Sequence, residues 1–282
     1  MMRVAAALLL LVVAAACGGR GDRVVVGSKN FTEQRILGEL LAQVLERAGI
    51  PVERKLDLGG TFVCDAALRA GQIDVYVEYT GTALTAVLKD PPDNDAARVL
   101  ARVREAYAAA GLVWTEPLGF DNTFALVVRP EAGVRTISAA VDPARDWTAA
   151  FGYEFQQRAD GFPALERTYG LRFRDIRTMD LGLLYRALAE RKADIAAGSA
   201  TDAQIDTLAL VMLTDDRHAF PPYEAVPVVR KAALERFPGL GDALASLAGK
   251  LSATTMRRLN RAVDGDHRSP AEVVRELLDK GL

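Results

Sequence analysis

The chain has 282 residues, half of them hydrophobic, and 35 Lys and Arg stand against 37 Asp and Glu for a formal net charge of -2. That length can bury a sizeable core, as one large domain or two smaller ones. The two signs are balanced and interspersed, which excludes a nucleic-acid footprint and a polybasic membrane patch.

The first elements read as an export signal. Arg3 is followed by an apolar run, Val4 to Val13, and by Ala14, Ala15 and Ala16 directly before Cys17. The run is shorter than the roughly 20 residues a permanent span requires, so residues 1–16 are expected to be a cleaved signal peptide. Small residues before a cysteine resemble the bacterial lipobox, which implies that Cys17 is acylated and anchors the protein by its lipid alone. Cys64 is the only other cysteine, so no intramolecular disulfide framework is available.

Beyond Cys17, Val24-Val25-Val26 followed by Gly27 predicts a strand. Asn30 with Glu33 three residues on has capping-box spacing and predicts a helix start. Ile36, Leu37, Leu40, Leu41, Val44 and Leu45 share one face of that helix, and Gly49 stops it. A strand over 52–58, a helix over 61–70 and a strand over 73–77 follow, which makes a β-α-β-α-β run and argues for a parallel sheet covered by helices. The alternation resumes with strands at 124–129 and 149–153, a helix over 180–191, and strands at 193–197 and 208–213. After Pro221-Pro222 the pattern is largely helical, and Ser269-Pro270-Ala271-Glu272 combines a capping box with Pro at the first helical position. No internal repeat, low-complexity tract or long linker is evident. Two α/β lobes, residues 23–124 plus 223–282 and residues 125–222, joined by crossovers near 120–126 and 220–226, place a ligand cleft between them.

Several segments carry a resemblance. Gly27-Ser-Lys-Asn-Phe-Thr-Glu-Gln34, Leu58-Gly-Gly-Thr61, Glu78-Tyr-Thr-Gly-Thr82, Gly119-Phe-Asp-Asn-Thr123, Arg158-Ala-Asp-Gly161 and Phe220-Pro-Pro-Tyr-Glu224 are similar to the solute-binding proteins of osmoprotectant importers, the glycine betaine, carnitine and choline family. The resemblance implies a type II periplasmic-binding-protein fold, no cofactor, partnership with an ABC permease and ATPase, and a monomer that works outside the cytoplasmic membrane. A quaternary ammonium has no N–H to donate and is held by aromatic faces through cation–π attraction. A betaine carboxylate calls instead for Lys, Arg, hydroxyls or helix N-terminal amides.

For the carboxylate, the resemblance points to Lys29, Thr82 and Arg158. For the ammonium cage it points to Tyr79, Phe124, Ser199 and Tyr223, where the family pattern is mainly Tyr. Phe124 keeps a π face, whereas Ser199 loses the ring, so that either affinity falls, Tyr153 or Tyr185 fills the gap, or the pocket admits a bulkier ligand such as an ergothioneine-like betaine. Ser28, Asn30, Asn122, Thr201 and Asp202 are expected to line the cleft as well.

An enzyme would require more. His218 and His267 lie far apart, with no Cys or His neighbour at metal-ligand spacing, and no Gly-x-Ser-x-Gly elbow or phosphate loop is present. Asp74 and Glu78 share one face of a strand, a spacing more often structural than catalytic. An exported sensor domain remains the other alternative to transport.

Overall fold

A computed structural model describes residues 23–282. The expected signal peptide and Cys17 lie outside the described residues. The first sheet contains β1 (Val24–Gly27), β2 (Val52–Lys55), β3 (Val75–Tyr79) and β4 (Leu112–Trp114). The second contains β5 (Phe124–Val128), β6 (Thr148–Phe151), β7 (Asp175–Thr178), β8 (Ile195–Ser199) and β9 (Val211–Met212). β10 (Ala225–Arg230) returns to the first sheet, so the orders are β2-β1-β3-β10-β4 and β7-β6-β8-β5-β9.

Each sheet is covered by helices on both faces, which is why β1, β3 and β10 are buried almost throughout and read as runs of Val, Ala and Tyr. Helix α1 (Thr32–Arg47) packs Ile36, Leu37, Leu40, Leu41 and Leu45 against the first sheet at 0–1% exposure. Full burial of each such side chain stabilises the fold by about 1.5–3 kcal/mol. Helix α2 (Thr61–Arg69) covers the other face with Leu68 and Cys64. Burial pushes the Cys64 thiol up to about 11, so it stays protonated at neutral pH.

Three expectations are corrected. The box Asn30–Glu33 does not form: Phe31 stands at the N-cap without a side-chain bond, because Glu33 is turned inward to a buried polar cluster. Chain 221–282 is not simply helical, since β10 runs antiparallel between β3 and β4. Its residues 225–229 are apolar without a helical period, but the Pro at 227 masked the strand. The box at Ser269 does form, with Ser269 and Glu272 exchanging bonds of 3.3 Å.

The third correction concerns repetition. The two sheets have one topology and one register: Val26 pairs with Val75 and Ala149 with Ile195 between the parallel strands, while Val229 pairs with Val75 and Val128 with Ile195 between the antiparallel ones. One staple recurs as well. Asp74 accepts from Val25 N at 2.9 Å and pairs with Arg230 at 3.0 Å; Asp194 accepts from Thr148 N at 2.8 Å and pairs with Arg129 at 3.3 Å. Asp74 is thus a structural acid. Side-chain identities have diverged too far for the repeat to be legible in the sequence.

The sheets are joined by two adjacent crossing segments. Asn122 N donates to Tyr223 O at 3.1 Å, and Tyr223 N donates to Asp121 Oδ1 at 2.9 Å. A further contact comes from the helix Ala253–Asp264, whose Arg257 reaches Ala200 O at 2.8 Å.

Candidate functional site

The residues expected in the cleft fall into three groups. The first lies where β1 and β3 end. Lys29 is buried, forms an ion pair with the buried Glu78, and sits over the Tyr79 ring at 4.8 Å from its centroid. Glu78 also accepts from Tyr76 Oη at 3.2 Å and from Tyr79 N at 2.7 Å. Tyr79 donates to Glu33 at 2.5 Å, Asn122 Nδ2 donates to Glu33 at 3.0 Å, and Thr201 Oγ1 donates to Asn122 Oδ1 at 2.9 Å. Asn260 Nδ2 adds bonds to Glu33 at 3.3 Å and to Thr201 O at 2.9 Å, so this cluster spans both lobes. Burial holds the Glu33 carboxyl above the usual carboxylate range, against the lowering effect of the polar groups of Thr201, Tyr79 and Asn260 around it.

The second group joins Arg158, Tyr223 and Phe124. The Arg158 guanidinium forms two bonds to Asp160, at 2.8 and 2.7 Å, donates to Tyr223 Oη at 3.1 Å, and lies 5.2 Å from the Phe124 centroid. Tyr223 Oη in turn donates to Asp160, bridging the lobes. Burial pushes the Asp160 carboxyl up, but the bonds from Arg158 and Tyr223 outweigh it and hold the group below its ordinary range. Phe124 meets Phe155, Phe220 and Tyr223 edge to face, at 5.0, 5.7 and 5.7 Å. This arrangement places a cation on an aromatic face, the geometry a quaternary ammonium would need.

The third group borders a recess of about 890 Å³ built mainly by the second lobe, with Asp264 of the first lobe at its wall, and lined in part by Phe124, Phe155, Met179, Tyr185, Ser199 and Asp202. Tyr185 Oη donates to Asp202 Oδ2 at 2.6 Å, and Ser199 N donates to the same oxygen at 2.9 Å. Tyr153 also lines the recess and is 59% exposed. Ser28 is buried and occupied locally, accepting from Asp57 N at 2.9 Å and donating to Lys29 O at 3.0 Å. Asn30 is exposed, and its N–H donates to Gly59 O at 3.1 Å. Thr82 is half-buried in the short helical turn Thr80–Thr82 after β3.

Sequence reasoning missed Glu33 as a buried polar centre, Asp160 as the partner of Arg158, and Gly198 and Met179 in the recess wall. For Glu33 a signal existed: it shares a helix face with Ile36, Leu37 and Leu40, which is the core-facing stripe. For Asp160 the proximity in sequence to Arg158 was the signal.

Two α/β lobes of one topology, two crossing segments, a polar and aromatic seam between them and a large recess define a solute-binding protein of the periplasmic type. The chain belongs to the family described as the substrate-binding domain of ABC-type glycine betaine transport systems, which matches residues 22–280. It is 35% identical over 268 residues to a glycine-betaine-binding protein of Pseudomonas aeruginosa, covering 90% of this chain and 86% of that one. It is 33% identical over 264 residues to an ergothioneine transport permease/ergothioneine-binding protein of Helicobacter pylori, covering 91% of this chain but 47% of that protein. A crystal structure described as a glycine betaine/carnitine/choline ABC transporter superposes with a TM-score of 0.86 at 30% identity, covering 91% and 98% of the two chains. The protein is therefore an extracytoplasmic substrate-binding protein of a betaine- and carnitine-type ABC importer and not an enzyme. No helix among the described residues is long and apolar enough to cross a membrane.

Proposed function

We propose that the chain captures a quaternary-ammonium solute between its lobes and delivers it to an ABC permease and ATPase, held at the membrane by a lipid on Cys17. The observation that carries the ligand class is the Arg158 guanidinium lying over Phe124 beside Tyr223: a cation already occupies an aromatic face at the lobe junction. A solute ammonium would take such a face, with Phe124, Tyr223 and Tyr79 as the aromatic partners. Arg158, freed to turn, would meet a carboxylate where the solute has one, with Thr82 in the helical turn Thr80–Thr82 as a second donor. Lys29 would contribute only if it exchanged Glu78 for the ligand, which makes Arg158 the stronger of the two basic candidates. Ser28, Asn30, Asn122, Ser199, Thr201 and Asp202 complete the cleft in this reading.

Among family solutes the recess beside Ser199 favours a body larger than glycine betaine, an ergothioneine-like betaine included. Calorimetric titration of the chain after Cys17, freed of carried-over ligand, with glycine betaine, proline betaine, carnitine, choline, ergothioneine and ordinary amino acids tests the reading. Binding confined to quaternary amines is expected, and heat only from ordinary amino acids would overturn it. With a carboxylated betaine, Arg158→Met should weaken binding at least tenfold, and unchanged affinity would remove Arg158 from the site. Anchoring is checked by lipid labelling in the producing cell, which Cys17→Ala should abolish.

A further inference from the structure

The same crevice occurs once in each lobe, at the carboxyl ends of corresponding strands, and only one copy is filled. In the first lobe Lys29 and Glu78 close it with a buried ion pair. The common register, in which Val26 corresponds to Ala149 and Val75 to Ile195, sets Gly152 in place of Lys29 and Gly198 in place of Glu78. Both glycines border the 890 Å³ recess, and Ser199 stands where the first lobe carries Tyr79. We propose that this recess holds a bulky, positively charged body of the transported solute, with Gly198, Ser199, Tyr185 and Asp202 as its specificity-determining residues.

Resting on the quaternary-ammonium reading, this assignment follows from size, lining and charge. The volume lies within the range of roughly 300–1,000 Å³ typical of sites that enclose drug-sized ligands, several times what the few heavy atoms of glycine betaine need. The wall carries the ring of Phe124, the buried rings of Phe155 and Tyr185, and the thioether of Met179, surfaces that suit a flat or branched apolar body. Its charged members are Glu154, Asp180, Asp202 and Asp264 against Arg186, and Arg186 is already paired with Glu190 at 2.7 Å. Carboxylates without a matching cation in the wall favour a ligand that brings the positive charge with it.

Asp202 is held in place for this role. One of its oxygens receives both Tyr185 Oη at 2.6 Å and Ser199 N at 2.9 Å. That pair closes against the strand only because residue 198 is glycine: a Cβ there would overlap the Tyr185 hydroxyl and lie 2.7 Å from Asp202 Oδ2. The glycine therefore does two things, leaving out the side chain that fills the first lobe and letting Tyr185 approach.

The probes that separate these ideas are benzyltrimethylammonium, a bulky ring-bearing cation, choline, a small cation, and glycine betaine, a small zwitterion. Isothermal titration of the ligand-free protein should give benzyltrimethylammonium at least tenfold tighter binding than either small solute. Asp202→Asn should weaken that binding about tenfold, and Ser199→Tyr, which restores the ring the first lobe carries at Tyr79, should reverse the order in favour of the small solutes. Retained thermal unfolding cooperativity in Ser199→Tyr shows that the reversal is not loss of fold. A small solute binding tighter, with an order that neither substitution moves, would overturn the recess assignment and leave the quaternary-ammonium reading standing. No heat from any of the three, with heat from another solute class, would overturn both.

Discussion

The two lobes share what a parallel sheet needs and differ in what a binding site needs. Strand order, register and the aspartate that pins the first strand to the third are the same in both, because these satisfy backbone groups in a buried sheet. At the carboxyl ends the first lobe fills its crevice with Lys29, Glu78 and Tyr79, a buried and internally paired wall. The second lobe has Gly152, Gly198 and Ser199 there and keeps the space open. One lobe is thus a preformed backstop and the other a receptacle.

The largest effect should come from breaking the backstop. Glu78→Gln leaves the Lys29 ammonium buried without a counter-charge, and loss of one partner from a buried pair costs about 3–5 kcal/mol. Urea unfolding reads this directly, and the double substitution Lys29→Met/Glu78→Gln should cost less than Glu78→Gln alone. If Glu78→Gln is neutral, the pair does not hold the first crevice shut.

Next come the twin staples. Asp74→Ala removes a bond to a buried strand amide and a partner of Arg230, for about 2–3 kcal/mol. Asp194→Ala should cost less, because its side chain is 34% exposed against 7% for Asp74. Equal or inverted losses in parallel urea titrations would mean that burial of the aspartate does not set the strength of the staple.

A smaller effect is expected from pH at the crossing segments. Burial first, then the neighbouring Glu224 charge, hold the Asp121 carboxyl up to about 6. A carboxyl raised in the folded state binds its proton more tightly than in the unfolded chain. Its stabilisation is therefore present below pH ~4 and lost as pH rises through about 6. Glu33 and Asp202 are raised by burial and contribute with the same sign. Asp121→Asn should flatten the stability profile between those values by about 1–2 kcal/mol, allowing for solvent at its half-buried edge. An unchanged profile would remove Asp121 from this account.

Much of this was legible in the sequence, for identifiable reasons. Helix α1 declared itself because Ile36, Leu37, Leu40, Leu41 and Leu45 must face one sheet, and β1 because a strand covered on both faces needs no polar alternation. Resemblance singles out Lys29, Tyr79, Arg158, Phe124 and Tyr223 as candidates, and the structure gathers them in two clusters near the lobe junction. What remained hidden was pairing at long range. That Lys29 spends its charge on Glu78, that Arg158 spends its own on Asp160, and that Gly198 mirrors Glu78 follow only from a register between strands many residues apart. The absent ring at Ser199 was visible, but the recess behind it depends on Met179, Tyr185 and Phe155, which arrive from separate elements.

Hydrogen–deuterium exchange with and without saturating benzyltrimethylammonium tests the central claim, that a solute lodges against the second lobe while the first lobe serves as a backstop. Strong new protection is expected in residues 152–155, 179–185 and 198–204, with little change in residues 28–31 and 61–65. Protection concentrated around Lys29 and Glu78, with the second-lobe segments unmoved, would contradict it.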